Sequence, residues 1–373
     1  MPDYEGPVSI TAPELPELIA LLNQVFRPQG GDMGREYARH VGMNNLENIR
    51  VIKQHGKIVS HVAVSVRPVV LGGIPTWVAG IGAVATHPEA RGQGFASILM
   101  EDAVKRSVAQ GADIMLISGD LGVYRRMHAV DCGCYPVVQI GTGEAQLSNR
   151  LAVAEMRVSD LPDMTALWAT LPTRYLLPRE DLEALFQSKW VMDKPTDWWM
   201  VRDERNPVGC GIVHHRADIL MLLDWAGHPA ALEHAAAWWM ERYGVNSLTY
   251  IPSAMSLLPL AWHSRIQEYR RFDGTVLVIH TRRFLERARP FLAERIGETF
   301  LEKLQIEAED QRMEIALGSE KIELAHGGEL ALLFFGRAGE DFLASKVSKD
   351  SKLYEVLNRT FPVPLVWYGI GYV

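Results

Sequence analysis

The sequence predicts an α+β fold made of two similar parts followed by a third, smaller part. Three observations lead to this prediction. β-branched runs separated by short glycine turns indicate antiparallel strands. A glycine-rich loop leads from the last of these strands into a helix with one apolar face. A second strand-then-helix entry near residue 156 mirrors the entry near residue 8, which suggests a degenerate duplication.

The first part follows a simple order. A strand at residues 8–10 leads to the capping box Thr11-x-x-Glu14, which opens a helix. An antiparallel meander comes next, with strands at residues 49–52, 58–70 and 77–86. The helix that starts at Phe95 is expected to end near Gly111, and a buried strand follows at residues 113–117.

The composition limits the classes of function that the chain can have. The chain has 373 residues, 48% of them hydrophobic and 22% charged, which is enough for two or three domains. Its net charge of −7 argues against a nucleic-acid partner and mildly favours a cationic small substrate. Three cysteines do not make a disulfide framework, no residue spacing indicates a metal site, and no apolar run is long enough to span a membrane. We therefore expect a cytoplasmic protein without a metal.

The glycine-rich loop is the most informative stretch, with Arg91-Gly92-Gln93-Gly94 leading into the helix at Phe95. Glycines let the backbone approach an anion closely, and the unpaired N–H groups and dipole of a helix start supply positive potential. The arginine adds a charged donor. These features predict a pyrophosphate cradle, and the alternative is an ordinary strand-to-helix turn.

Together with the preceding His87-Pro88, the loop resembles the coenzyme A loop of the GNAT acetyltransferases. The resemblance implies that acetyl-CoA is the cosubstrate and that the preceding strand splays from its neighbour. We expect a β-bulge to cause the splay and an amide beside Val84 to orient the thioester carbonyl. The expected cofactor-binding residues are Val84, Ala85, Thr86, Arg91, Gly92, Gln93, Gly94, Phe95 and Ala96.

A second GNAT-like motif spans residues 118–127, where a strand ends and Tyr124 opens a short helix. A phenol with a reference pKa of about 10 can protonate the departing coenzyme A thiolate. Tyr124 is therefore the predicted general acid, and its alternative role is an aromatic anchor beside the pantetheine arm. Asp120 is a competing base, although it could instead cap the short helix.

The second and third parts contain fewer motifs that indicate a function. The second part lacks the cofactor loop, because Gly227-His228-Pro229 offers neither a second glycine nor an arginine. We expect it to bind no coenzyme. The third part has a strand, a helix, a hairpin at residues 312–325 and a short apolar helix, and it resembles a sterol carrier protein. Its apolar residues could line a lipid tunnel or simply fill a core.

Two GNAT-like parts followed by a sterol-carrier-like part resemble the enhanced intracellular survival (Eis) type of acetyltransferase. The expected domains are a catalytic GNAT domain at 1–150, a degenerate GNAT-like domain at 151–271 and a sterol-carrier-like domain at 272–373. The uncharged stretch 361–373 should be buried. The resemblance implies that the α-carboxylate of Val373 enters the active site, whereas the alternative is a plain closing strand. It also implies a homo-oligomer.

These features predict an N-acetyltransferase that moves an acetyl group from acetyl-CoA directly to a primary amine. The resemblance implies an aminoglycoside-like polyamine as the acceptor, and peptide or lysine amines stay open. Direct transfer is favoured because no cysteine lies in an activating motif. Two other classes stay open, namely a hydrophobic-ligand-binding protein regulated by coenzyme A and a non-catalytic scaffold.

Overall fold

The computed structural model describes residues 3–145, 147–191, 193–367 and 369–371. The strands in this part of the chain are β1 (Glu5–Ser9), β2 (Ile49–Gln54), β3 (Lys57–Leu71), β4 (Ile74–Thr86), β5 (Ile114–Ser118), β6 (Tyr135–Gly141), β7 (Leu151–Glu155), β8 (Arg174–Tyr175), β9 (Trp190–Val191), β10 (Lys194–Pro195), β11 (Asp197–Asp203), β12 (Asn206–Arg216), β13 (Ile219–Gly227), β14 (Ser247–Tyr250), β15 (Ile266–Arg270), β16 (Gly274–Val278), β17 (Gln305–Ala308), β18 (Met313–Leu317) and β19 (Glu320–Leu324). The α-helices are α1 (Leu15–Phe26), α2 (Met33–Glu36), α3 (Phe95–Ala109), α4 (Gly122–Arg126), α5 (Leu161–Ala169), α6 (Arg179–Ser188), α7 (Pro229–Tyr243), α8 (Thr281–Ile296), α9 (Glu298–Leu301), α10 (Gly327–Phe335) and α11 (Lys352–Thr360). None of these helices is both long enough and apolar enough to cross a bilayer.

The described residues group into two compact units. Unit 1 takes residues 3–133 and 272–363, and unit 2 takes residues 134–271 and 364–371. The domain boundaries expected from the sequence, at residues 150 and 271, stay a prediction.

Unit 1 is built on a mixed sheet in which β1, β2, β3, β4, β5 and β16 lie side by side in that order. Neighbouring strands are antiparallel, except for the parallel pair β4 and β5. The antiparallel meander predicted from the sequence is confirmed. The sequence predicts a strand at residues 275–280 in a separate third part, whereas residues 274–278, as β16, pair with β5 and extend this sheet.

The two faces of this sheet carry separate apolar clusters, because side chains alternate along a strand. Ile52, Val62 and Ile81 pack with Leu99 of α3. Val51 and Ile49 belong to the other cluster, which contains Leu18 and Leu22 of α1. Burial of each such leucine contributes about 1.5–3 kcal/mol, so the helices on both faces hold β4 firmly in the middle of the sheet.

Residues 281–363 add helices and a small antiparallel sheet to unit 1. The predicted hairpin is confirmed as β18 and β19, and the short apolar helix is confirmed as α10, which ends at Gly336. The carboxylate of Asp113, directly before β5, forms ion pairs with two arginines of α8. It is fully buried and accepts hydrogen bonds at 2.5 Å from Arg283 Nε and from Arg287 Nη1. Two guanidinium groups thus compensate one buried charge.

Unit 2 repeats this plan, with β7, β11, β12, β13, β14, β6 and β15 side by side. Here β13 and β14 form the parallel pair. Eight residues, 87–94, separate β4 from α3 in unit 1, whereas only His228 separates β13 from α7 in unit 2. Pro229 then begins α7, and proline has no N–H to offer an anion. The cofactor loop is therefore missing from unit 2, as predicted.

The uncharged end of the chain is buried as expected where the structure describes it. Val363, Leu365, Val366 and Ile370 are each at most 5% exposed. Ile370 belongs to an apolar cluster of unit 2 that includes Trp198. Tyr368, Tyr372 and Val373 lie outside the described residues.

Candidate active site

The site begins with a β-bulge in β4. His61 pairs with Ala85, and Ala63 pairs with Gly82, so Ala83 and Val84 both face the single residue Val62 of β3. Ala83 has a φ of +51°, in the left-handed region that residues with a Cβ seldom adopt. The bulge expected from the sequence is present.

Beyond the bulge, β4 separates from its other neighbour. The parallel pairs between β4 and β5 end at Ile81 and Ile117, although β4 continues to Thr86. Backbone groups of the last β4 residues on this side therefore lack a strand partner within the described part of the chain. Such groups require another hydrogen-bond partner when they are covered, and an extended amide-containing ligand would supply one.

The glycine-rich loop lies next to this opening. Gly92 and Gly94 both have φ of +81°, and a Cβ added at either would meet no atom within 4 Å. Gly94 is the N-cap of α3 and offers no side chain to its first N–H groups. Arg91 Nε–H donates to the Thr86 carbonyl at 3.3 Å. The loop thus presents free amides, a helix N-terminus and a guanidinium together, which suits a phosphate group.

Tyr124 lies in the same apolar cluster as Val84 and Phe95, so the structure brings the two predicted motifs together. This follows from the parallel pairing, because the loops after β4 and β5 leave the same edge of the sheet. The Tyr124 side chain is 1% exposed, and its hydroxyl makes no hydrogen bond within the part of the chain that is described. Burial raises the pKa of this phenol, which therefore stays protonated near neutral pH.

Asp120 has a partner of its own. Its carboxylate is exposed and accepts both Nε–H of Arg125, at 2.8 Å, and Nη2–H of the same guanidinium. It does not cap α4, whose N-cap is Leu121 without a side-chain bond. Val373, the other predicted base, lies outside the described residues, and its role stays a prediction.

His61 is a site residue that the sequence analysis missed. It is fully buried, and its Nδ1 lies 2.7 Å from the Ala83 carbonyl oxygen at the bulge. Burial lowers the pKa of this imidazole to about 4. No local signal marked it, because it lies inside a predicted strand with no recognisable motif around it.

The cysteines do not offer an alternative nucleophile. All three are free thiols, and although Cys134 is exposed, partial burial raises its pKa as full burial raises those of Cys132 and Cys210. The thiol form is therefore favoured over the reactive thiolate. Among the described residues, no three histidine, cysteine or acidic side chains come together as a metal site would require.

Unit 2 has an opening that corresponds to that of unit 1. Leu223 bulges between the pairs Ile212–Asp224 and Val213–Leu222, and the parallel pairing of β13 and β14 ends at Tyr250. Asp224 and Tyr250 line a small cavity of about 50 Å³ together with Val366 and Ile370 of the C-terminal segment. The Ile370 N–H donates to Asp224 Oδ2 at 3.4 Å. Residues of the C-terminal segment thus lie at the opening of unit 2.

Residues 8–129 match the family model described as an acetyltransferase (GNAT) domain. The chain contains a GNAT acetyltransferase domain. The protein is therefore an acyl-CoA-dependent N-acyltransferase, and the GNAT domain implies an acyl-CoA cosubstrate. The bulge, the loop and Tyr124 all lie within this GNAT domain.

Solved structures resemble the whole chain in fold. A GCN5-related N-acetyltransferase from Anabaena variabilis has a TM-score of 0.65 at 17% identity, covering 99% of each chain. A probable N-acyltransferase from Enterococcus faecalis has a TM-score of 0.66 at 14% identity, also over 99% of each chain. Eis1 from Mycobacterium abscessus has a TM-score of 0.63 at 11% identity over 100% of each. No curated protein sequence matches the chain. The GNAT domain therefore sits in a chain whose full length shares its fold with these proteins.

Proposed function

We propose that the protein moves an acetyl group from acetyl-CoA directly to a primary amine. The observation that carries this proposal is the bulge at Ala83 and Val84, beside the open end of β4. An opening with free amides suits a pantetheine arm, which carries amides of its own. Tyr124 belongs to the same apolar cluster as Val84.

The cofactor would lie along the opening and the loop. Its pyrophosphate would rest on residues 91–96, and its pantetheine arm would run past residues 84–86. The N–H of Val84 would donate to the thioester carbonyl and stabilise the oxyanion that forms there. The exposed glycines of the loop support this placement, because they leave open space where a phosphate would lie.

Transfer requires three proton movements. An alkylammonium with a pKa of about 10.4 must first lose a proton, which costs roughly 4–5 kcal/mol at pH 7. We assign this proton to the α-carboxylate of Val373, which passes it to solvent. Asp120 ranks below it because Arg125 already holds its carboxylate. The amine nitrogen then bonds to the carbonyl carbon, the C–S bond breaks, and the hydroxyl of Tyr124 gives its proton to the leaving sulfur. The nitrogen loses its second proton as the amide forms, and this proton returns the Tyr124 phenolate to the phenol through water.

The acceptor we propose is an aminoglycoside-like polyamine, with peptide amines as the competing class. The net charge of −7 supports a cationic acceptor. We also propose a sterol-carrier-like arrangement for residues 272–373 and assembly into a homo-oligomer, both of which the Eis-type resemblance supports, and a cytoplasmic location. Light scattering coupled to gel filtration would test that assembly.

The test is acetyl-CoA-dependent thiol release with a panel of aminoglycosides, polyamines and N-terminal peptides. Tyr124→Phe should lower kcat by roughly 100-fold with the productive amine, because general acid catalysis typically contributes 10²–10⁴-fold. Tyr269→Phe, on the surface of β15, is the control and should keep the wild-type rate. Deletion of Val373 should also lower kcat, since it moves the terminal carboxylate. Wild-type rates in Tyr124→Phe would refute the mechanism, and no release with any amine would refute the acceptor.

A second candidate function rests on a cavity in unit 1. It has a volume of about 830 Å³ between α8 and the small sheet, and its lining combines apolar side chains, among them Leu285, Leu292 and Met313, with charged ones such as Arg282 and Glu314. The apolar side chains favour a hydrophobic ligand, with coenzyme A as a regulator. Binding of a fluorescent fatty acid that Leu292→Glu weakens, and that acetyl-CoA alters without acetyl transfer to any amine, would support this function over transfer.

A further inference from the structure

His61 and Ala83 form a contact that sets the direction of one peptide group. A carbonyl oxygen only accepts hydrogen bonds, so the 2.7 Å contact requires a hydrogen on Nδ1 of His61. Since burial keeps the imidazole neutral, this tautomer persists at neutral pH. The Ala83 carbonyl is therefore held toward His61.

The direction of that carbonyl determines the direction of the next amide. Peptide units are planar and trans, so the carbonyl of Ala83 and the N–H of Val84 point in opposite directions. Holding the carbonyl toward His61 turns the Val84 N–H away from it. In the pairing of the described strands, Val84 has no partner residue on either side.

The second ring nitrogen of His61 argues against a purely structural role. Nε2 is buried and has no hydrogen-bond partner among the described residues. Burying an unsatisfied polar atom is unfavourable, and an apolar side chain of similar size would avoid it. An imidazole is thus less favourable here than an apolar side chain if packing is its only role. It is favourable if its role is to donate a hydrogen bond from Nδ1.

We propose that His61 is a positioning residue for acyl transfer, because it holds the bulge so that the Val84 N–H points at the thioester carbonyl. The inference rests on the proposed function and adds to it a residue that does not touch the substrate. Since the pyrophosphate would be bound elsewhere, loss of His61 should affect the reacting carbonyl more than overall cofactor affinity.

The experiment compares His61→Leu, which removes the donor, with His61→Asn, whose amide nitrogen can stand near the position of Nδ1. His61→Leu should lower kcat by roughly 10- to 100-fold, while the Kd of acetyl-CoA changes less than about threefold. His61→Asn should recover most of the loss. Infrared spectroscopy of bound acetyl-CoA gives a readout besides activity, because a hydrogen bond lowers the thioester C=O frequency. That lowering should be present in wild type and His61→Asn and absent in His61→Leu.

His214→Leu is the matched control. His214 is a buried histidine of unit 2 whose Nδ1 likewise contacts a backbone carbonyl, that of Pro195 at 2.8 Å. It should leave kcat and the C=O frequency at wild-type values. A folded His61→Leu with the wild-type kcat and frequency would overturn the inference alone, as would a His61→Asn no better than His61→Leu. Failure of the wild type to bind acetyl-CoA would overturn the proposed function and this inference together.

Discussion

The half-buried carboxylate of Asp224 makes stability depend on pH. The surrounding core of unit 2 raises its pKa from an ordinary value to about 7, although the N–H groups of Ile370 and Trp225 favour its charged form. The folded protein therefore keeps a proton that the unfolded chain releases near pH 4. The stability linked to this proton is fully present below about pH 4 and is lost as the pH rises to about 7.

We predict that Asp224→Asn removes this dependence. The wild type should lose about 3 kcal/mol of unfolding free energy from this group between pH 4 and 7, whereas the amide variant should not. Urea unfolding at several pH values, followed by tryptophan fluorescence, measures the difference. Asp218→Asn, at an exposed turn, is the control and should keep the wild-type slope. Equal slopes in Asp224→Asn and the wild type would contradict the prediction.

At the residue scale, the sequence predicted those residues whose type and spacing are typical of a known chemical role. Tyr124 and the glycines of the loop stand in a recognisable spacing, and the structure places Tyr124 and Phe95 in one cluster. His61 and Asp224 were missed because their significance comes from a carbonyl or an amide far along the chain. No local pattern reports such a partner.

At the scale of elements, the two sheets differ in the loop between β4 and α3, which we propose holds the cofactor. Both units have a bulge and a parallel pair, but only unit 1 has the glycine loop. Gly94 combines a positive φ with open space above it. A side chain there meets no protein atom, so its steric effect would fall on a bound phosphate.

We predict that Gly94→Ala weakens acetyl-CoA binding at least tenfold. Gly73, in the hairpin turn between β3 and β4, has a φ of +98° and equally open surroundings, which makes Gly73→Ala a matched control. Both substitutions should cost about 1 kcal/mol of stability from backbone strain. Isothermal titration with acetyl-CoA should separate them, since only the loop variant should lose affinity. Equal affinities would remove the loop from the binding site.

The sequence predicted most elements but not the sheet that each joins. A strand was predicted at residues 275–280, and the pairing of residues 274–278 with β5 brings together positions more than 150 residues apart. Hydrophobic periodicity predicts which residues of a strand are buried, but it does not predict which strand pairs with it. The same reason explains why β6, which follows the first GNAT motifs directly, was not placed in the sheet of unit 2.

At the scale of the whole molecule, each unit contains a sheet that opens beyond a bulge. In unit 1 the opening lies beside the glycine loop, and in unit 2 Val366 and Ile370 of the C-terminal segment line the cavity at the opening. We propose that only the opening of unit 1 holds a coenzyme.

We propose that the thioester of acetyl-CoA lies in the opening of β4, between the Val84 amide and the Tyr124 hydroxyl. A crystal structure of the acetyl-CoA complex tests this most directly. We predict the thioester oxygen at about 3 Å from Val84 N, and the sulfur within hydrogen-bond reach of Tyr124 Oη. A thioester located elsewhere, such as in the 830 Å³ cavity beside α8, would contradict the account.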